Sequence, residues 1–252
     1  NLEDHQSADS RTNYRLASLS KAFTAFAILI LIDRQQLELD NKLNEVMTFS
    51  PYGNDITIRH LLNHTSGLRD YENHISPRRT EQLKDSDVVD ILRRQNSLLF
   101  NSGTQYRYSN SGYAVLAEVI RTVSGQSFAS FLRDQIFEPL EMAETVAYEK
   151  GISEVTDRAY GYTRSRGIDH RTDQSLTSAV LGDGGVYTSL HDLVKWDAAL
   201  YSNNLIRPDL LASAFKSGQL NSGMKTNYGF GWKLGTYRGF QNISHTGSTI
   251  GF

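Results

Sequence analysis

The run Ala22-Phe23-Thr24-Ala25-Phe26-Ala27-Ile28-Leu29-Ile30-Leu31-Ile32 does most to limit what this chain can fold into. A membrane-spanning helix needs about 20 such residues, so this run is too short and reads as a central core helix. The pattern predicts a helix from about Ser18 to Gln36, apolar nearly all round and therefore buried on every side. Directly ahead of the run stands Ser18-Leu19-Ser20-Lys21. On a helix, residues i and i+3 share a face, so the Ser18 hydroxyl and the Lys21 amine can meet. A serine hydroxyl is a poor nucleophile until a base removes its proton, and a desolvated lysine beside it can do so. At a helix N-terminus, the dipole and free N–H groups would favour developing negative charge. The pair therefore points to covalent acyl transfer. The plainer reading makes Ser18 an N-cap and Lys21 a solvated cation. The spacing recurs at Ser213-Lys216 and Ser222-Lys225, so context has to decide.

A length of 252 residues allows one large domain or two lobes. A net charge of -2 gives no reason to expect nucleic acid or an acidic membrane surface. The chain has no cysteine, which excludes disulfides, a cysteine nucleophile and thiolate metal sites. His60 and His64 have the i, i+4 spacing of zinc ligands, but position 61 is Leu where H-E-x-x-H has its acid, and no third ligand is evident. No metal or cofactor is expected. No G-x-S-x-G elbow and no phosphate loop is present, which argues against an α/β-hydrolase and against nucleotide use.

Along the chain, Thr57 is a plausible cap for a short helix through Leu61 and Leu62. Asp85 or Ser86 is placed to cap a helix through Val88, Ile91 and Leu92. An amphipathic helix begins near Ser111 and ends at Gly125, and another runs from Ser127 to Pro139. Residues 145–180 read as irregular, and Gly182-Asp183-Gly184-Gly185 as a flexible turn. Ser189 and Asp192 resemble a capping box. Two β-rich runs near the end, around Tyr237-Arg238-Gly239, read as a hairpin.

Two further motifs carry chemistry. Tyr108-Ser109-Asn110 lies in a loop before a helix. A tyrosine near a lysine can have its pKa lowered and act as general base or acid, and the Asn110 amide can hold a carbonyl and orient the lysine. Y-x-N also occurs at Tyr71-Asn73 and Tyr201-Asn203. His245-Thr246-Gly247-Ser248 ends the last strand, where the Gly admits a ligand to the backbone and the His and Thr can contact a carboxylate or carbonyl.

Together, the segments Ser18–Lys21, Leu61–Leu68, Tyr108–Tyr113, Gly184–Leu193, Tyr228–Trp232 and His245–Gly247 resemble, in order, the serine β-lactamase-like family. That family includes class C β-lactamases, D-alanyl-D-alanine carboxypeptidases, D-aminopeptidases and related esterases. The resemblance implies an α/β (α+β) fold with an antiparallel sheet packed against helices. An α/β lobe, 1–42 and 181–252, would hold a mostly helical lobe, 43–180, with the site between them. It also implies roles. Ser18 is acylated, Lys21 and Tyr108 share the proton traffic, and Asn110 binds substrate and tethers Lys21. The N–H groups of Ser18 and Ser248 form the oxyanion hole, and His245, Thr246 and Gly247 line the opposite wall. The partner is a small-molecule or peptide acyl substrate: an ester, a D-amino-acid peptide or amide, or a β-lactam. A periplasmic or secreted location is implied as well, with a cytoplasmic one left open. The rival is a non-catalytic, penicillin-binding-like protein of the same fold. Class C enzymes have Lys-Thr-Gly where this chain has His-Thr-Gly, which would make carboxylate binding pH-sensitive near neutrality. Family members carry further strands at both ends, so the sheet is expected to be incomplete here.

Overall fold

The apolar run forms helix α1 (Ser20–Asp33), and every residue from Ser20 to Leu31 is buried. This computed structural model describes residues 1–202 and 205–252, so Asn203 of the Tyr201-Asn203 pair lies outside it. The helix starts two residues later than expected. Ala17–Leu19 form a 3-10 turn, and Ser18 sits within that turn instead of capping α1. Ala17 holds φ at +48°, a left-handed conformation that costs a non-glycine residue about 1–2 kcal/mol. It turns the chain sharply between strand β1 (Tyr14–Arg15) and the residues that carry Ser18.

Helices α2 (Leu43–Val46), α3 (Ile58–Leu62), α4 (Asp85–Arg93), α5 (Asn110–Ser124) and α6 (Phe128–Leu132) follow. The expected cap at Thr57 is present, and Ser127, read as a helix start, caps α6: each side chain accepts the N–H three residues on, from His60 and Ser130. Ser109 does the same for Gly112, so α5 begins at Asn110, one residue before the expected start. It ends at Gly125, whose φ of +71° suits a residue without Cβ. Asp85 caps nothing on its own helix. It is the first residue of α4, and its carboxylate accepts the N–H groups of Leu181 (2.9 Å) and Gly182 (3.0 Å).

Residues 145–180 are more regular than their sequence suggests. Strand β2 (Val146–Ala147) lies in a three-stranded antiparallel sheet of order β1-β5-β2, with β5 (Val186–Thr188) in the centre. Strands β3 (Tyr162–Ser165) and β4 (Ile168–Arg171) form a separate, largely exposed hairpin. The supposed flexible turn is helix α7 (Leu181–Gly184), and all four of its residues are buried. α8 (Leu190–Ala199) is capped by Ser189, which accepts the Asp192 N–H. The reciprocal half of the box is absent: the Asp192 carboxylate accepts instead from Glu144 N and the Thr145 hydroxyl. After α9 (Pro208–Ala214), β6 (Lys233–Tyr237) and β7 (Phe240–Ser244) form the expected hairpin.

α1 packs against α5, α7 and α9. Its Phe23 and Phe26 rings meet Trp196 of α8, with centroids 4.4 and 5.1 Å apart. Each such side chain stabilises by about 1.5–3 kcal/mol on burial, which makes α1 the axis of the core. α7 and the strand after it are fastened to α1 by polar contacts. The Thr24 hydroxyl donates to Gly182 O of α7 (2.7 Å), and Val186 N of β5 donates to Ser20 Oγ (3.1 Å). Among the described residues, no helix is long and apolar enough to cross a membrane.

The close approach of α7 to α5 depends on Gly182, where an added Cβ would lie 2.4 Å from Tyr113 O. Gly182→Ala is expected to lower stability by about 1–3 kcal/mol, read as a fall in the thermal unfolding midpoint.

Candidate active site

Lys21 lies on the first turn of α1, and its side chain is fully buried. Its Nζ donates to Asp183 O (2.7 Å), Asn110 Oδ1 (2.8 Å) and Ser18 Oγ (3.2 Å). Those three acceptors match the three N–H bonds of an ammonium. Burial drives the Lys21 pKa down to about 8, and the negative charges of Asp183 and Glu72 oppose the shift. Asp183 shifts upward, chiefly through its own burial, and Tyr71 Oη donates to its carboxylate at 3.0 Å. The next residue of α7 is held as well. Arg15 of β1, itself buried, donates to Gly184 O and to the hydroxyl and carbonyl of Ser178.

Ser18, Lys21 and Asn110 are thus brought together as expected. Tyr108 joins them, with Lys21 Nζ 5.1 Å from its ring centroid. Its hydroxyl is buried and has no hydrogen-bond partner among the described residues. The expected lowering of its pKa is not found. Burial raises it well above the usual phenol value, and the nearby Ser18 hydroxyl offsets only part of that.

His64 packs behind Tyr108, with ring centroids 4.3 Å apart, and also touches Tyr113 and Tyr228. Its Nδ1 accepts from Ser109 N (3.1 Å), and burial holds the ring neutral. His60 spends its Nδ1 on Thr57 N (3.2 Å). Both rings therefore serve the scaffold. Tyr228, fully buried, reaches across this cluster to His245 Nε2 at 3.0 Å.

His245 follows β7 directly, and its Nδ1 lies 2.7 Å from Thr246 O. A carbonyl only accepts, so Nδ1 carries the proton, and Nε2 accepts from the Tyr228 hydroxyl; this tautomer is assigned from the network. Burial lowers the His245 pKa to about 4. The expected pH sensitivity near neutrality is therefore displaced to acid, and the ring brings no positive charge to the site at pH 7. A cation does stand nearby. Lys233 on β6 places Nζ 3.4 Å from Thr246 Oγ1. Thr246, Gly247 and Ser248 are exposed. Gly247 abuts the chain just ahead of Ser18, and a Cβ there would lie 2.0 Å from Leu16 O and 3.2 Å from Ala17 Cβ.

Sequence reasoning missed four contributors: Asp183, Glu72, Tyr228 and Lys233. Glu72 Oε1 accepts from Asn110 Nδ2 at 2.7 Å. Asp183 offers Lys21 its backbone carbonyl, which no residue type announces, and its carboxylate charge acts on the amine as well.

Because Gly247 has no room for a side chain, Gly247→Ala is expected to push the 245–248 segment away from Ser18. Any acyl-transfer rate should drop by roughly a hundredfold, with a smaller loss of stability, measured by turnover and thermal unfolding side by side.

The sequence model of the family described as Beta-lactamase matches residues 1–252. Penicillin-binding protein 4* of Bacillus subtilis (strain 168) is 34% identical over 254 residues, covering 95% of this chain and 56% of the relative. A D-aminopeptidase of Brucella canis is 27% identical over 257 residues, covering 96% of this chain and 46% of the relative. The chain thus spans about half the length of these curated relatives. Among solved structures, an octameric penicillin-binding protein homologue from Pyrococcus abyssi superposes with a TM-score of 0.84 at 23% identity, covering 98% of this chain and 59% of that one. A D-amino acid amidase from Ochrobactrum anthropi superposes with a TM-score of 0.83 at 23% identity, covering 99% and 73%. At that identity the structural likeness speaks for the fold. With the match over its whole length and the relative at 34% identity, the chain belongs to the beta-lactamase family.

Proposed function

We propose that the protein is a serine acyl hydrolase that works through a covalent acyl-enzyme at Ser18. The observation that carries this reading is the Lys21 amine, buried, held by three acceptors and 3.2 Å from Ser18 Oγ. A lysine kept there only for stability would be a costly choice, because burying an ammonium costs several kcal/mol before its partners are counted. A lysine that must be neutral to take a proton belongs in such a place.

In the proposed sequence, neutral Lys21 takes the proton of Ser18 as Oγ bonds to the substrate carbonyl carbon. The backbone N–H groups of Ser18 and Ser248 donate to the carbonyl oxygen as charge develops on it. The Lys21 ammonium then returns the proton to the leaving oxygen or nitrogen as its bond to carbon breaks. Tyr108, whose ring centroid is 5.1 Å from Lys21 Nζ, takes the relay of that proton in this reading. Its raised pKa keeps it a neutral phenol, which favours Lys21 over Tyr108 as the base. Water enters next, gives a proton to the same groups and attacks the acyl carbon, which releases the acid and restores Ser18.

The acyl donor is an ester, a D-amino-acid peptide or amide, or a β-lactam. The sequence relative named as a D-aminopeptidase supports the D-amino-acid class. The neutral His245 favours substrates that need no imidazolium for binding.

Turnover of a p-nitrophenyl ester, a D-amino-acid p-nitroanilide and a chromogenic cephalosporin would be compared. Lys21→Met is expected to lower kcat/KM by roughly a thousandfold or more on every active substrate. A rate near that of the unaltered protein would refute the mechanism. Only neutral Lys21 accepts a proton, so kcat/KM should rise with pH through about 8 and then level off. If Tyr108 were the base, the rise would come well above pH 10, because its pKa is raised.

A further inference from the structure

We infer that Glu72 is a positioning residue for this site: its carboxylate locks the Asn110 amide with Oδ1 toward Lys21, and so keeps the lysine aimed at Ser18. The inference rests on the hydrolase reading for its consequence, though its geometry stands alone. An asparagine amide has two nearly isosteric orientations, related by a half-turn, and only one presents an acceptor to Lys21. Here Oδ1 accepts from Lys21 Nζ at 2.8 Å, while Nδ2 donates to Glu72 Oε1 at 2.7 Å. A carboxylate only accepts, so Glu72 admits the NH2 group and rejects the flipped amide. In that flipped state, the amide NH2 would face the buried Lys21 ammonium, donor against donor, and Lys21 would lose one of its three acceptors.

The placement of Glu72 is built into the fold. The adjacent Tyr71 is fully buried, and its N–H donates to Ser111 Oγ at 2.9 Å. Ser111 in turn donates to Arg69 O at 2.7 Å. Ser111 follows Asn110 directly, so the loop that carries Glu72 is tied to the very turn of α5 that carries the amide. The Tyr71 hydroxyl reaches Asp183, whose carbonyl is another of the Lys21 acceptors. Loop 69–72, the start of α5 and α7 therefore set one another around a single amine.

Glu72 also brings a charge. The ionisable groups around Lys21 are Asp183 of α7, Glu72 and Tyr71 of the loop, Tyr108 and Tyr113 at and within α5, and His64 and His245. Both histidines are held neutral and the phenols stay protonated, so Asp183 and Glu72 are the negative charges that favour the ammonium. Removing the charge of Glu72 should make Lys21 easier to deprotonate.

The test compares Glu72→Gln, which keeps an acceptor and removes the charge, with Glu72→Ala, which removes both. Lysine 13Cε resonances report Lys21 titration without reference to catalysis, with Lys21→Met used for assignment. In both variants the Lys21 midpoint should fall by about half a unit. The acid limb of kcat/KM for an ester should move down with it. Glu72→Gln should keep most of the rate at high pH, while Glu72→Ala should lose roughly tenfold there, because its amide is free to flip. A Lys21 midpoint that stays put in both variants, with the Glu72→Ala rate unchanged at high pH, overturns the inference. Absence of ester turnover in the unaltered protein overturns the hydrolase reading instead, and the Lys21 titration still decides the role of Glu72.

Discussion

One buried amine sets the terms for the rest of the structure. Lys21 sits on the helix that forms the core axis, where an ammonium without partners would cost several kcal/mol. The surrounding chain supplies a hydroxyl, an amide oxygen and a backbone carbonyl from three separate elements. Two of these elements, and the loop beside them, are themselves fastened in place. Arg15 and the Thr24 hydroxyl hold α7, Ser111 holds the loop before the 71–74 turn, and Ser109 caps α5. The three bonds nearly satisfy the charged amine, yet burial still lowers its pKa. That balance gives a lysine able to exchange a proton near neutral pH.

Motifs far apart in sequence meet here through close approach and ring packing. Gly182 lets α7 lie on α5, and Gly247 lets the final segment lie on the chain before Ser18. Between them, His64, Tyr108, Tyr113 and Tyr228 form a packed aromatic group whose far end is hydrogen-bonded to His245. The His-Thr-Gly segment is therefore held to the Tyr-Ser-Asn loop by a buried tyrosine that belongs to neither. The same bond fixes the His245 tautomer and commits both ring nitrogens within the protein. Charge near Thr246 comes from the neighbouring strand, through Lys233.

The sequence made legible what depends on periodicity and local caps. The buried helix after Ser18, the cap at Thr57, the helix start at Ser127, the stop at Gly125 and the last hairpin all follow from such signals. It left hidden what depends on tertiary approach. Gly182 to Gly185 reads as flexible, yet three of those residues are buried in α7 because the glycines allow tight packing. The β3–β4 hairpin went unseen because its strands are polar on both faces. Its turn is Arg166-Gly167, with φ values of +51° and +80°, where Asn-Gly would have announced it. Asp85 looked like a cap for its own helix, and tertiary packing turned it to α7 instead. At the site, the ordered motifs pointed to Ser18, Lys21, Tyr108 and Asn110. Pairwise chemistry on paper misjudged Tyr108 and His245, because burial outweighs the neighbouring charges.

The central claim is that Ser18 Oγ is the atom that becomes acylated. Intact-mass analysis after exposure of the folded protein to a serine-directed fluorophosphonate, followed by peptide mapping, tests it most directly. One equivalent of adduct is expected on the peptide that contains Ser18, and none on folded Ser18→Ala protein. No adduct on the folded protein, or an adduct that maps elsewhere and survives Ser18→Ala, would contradict it.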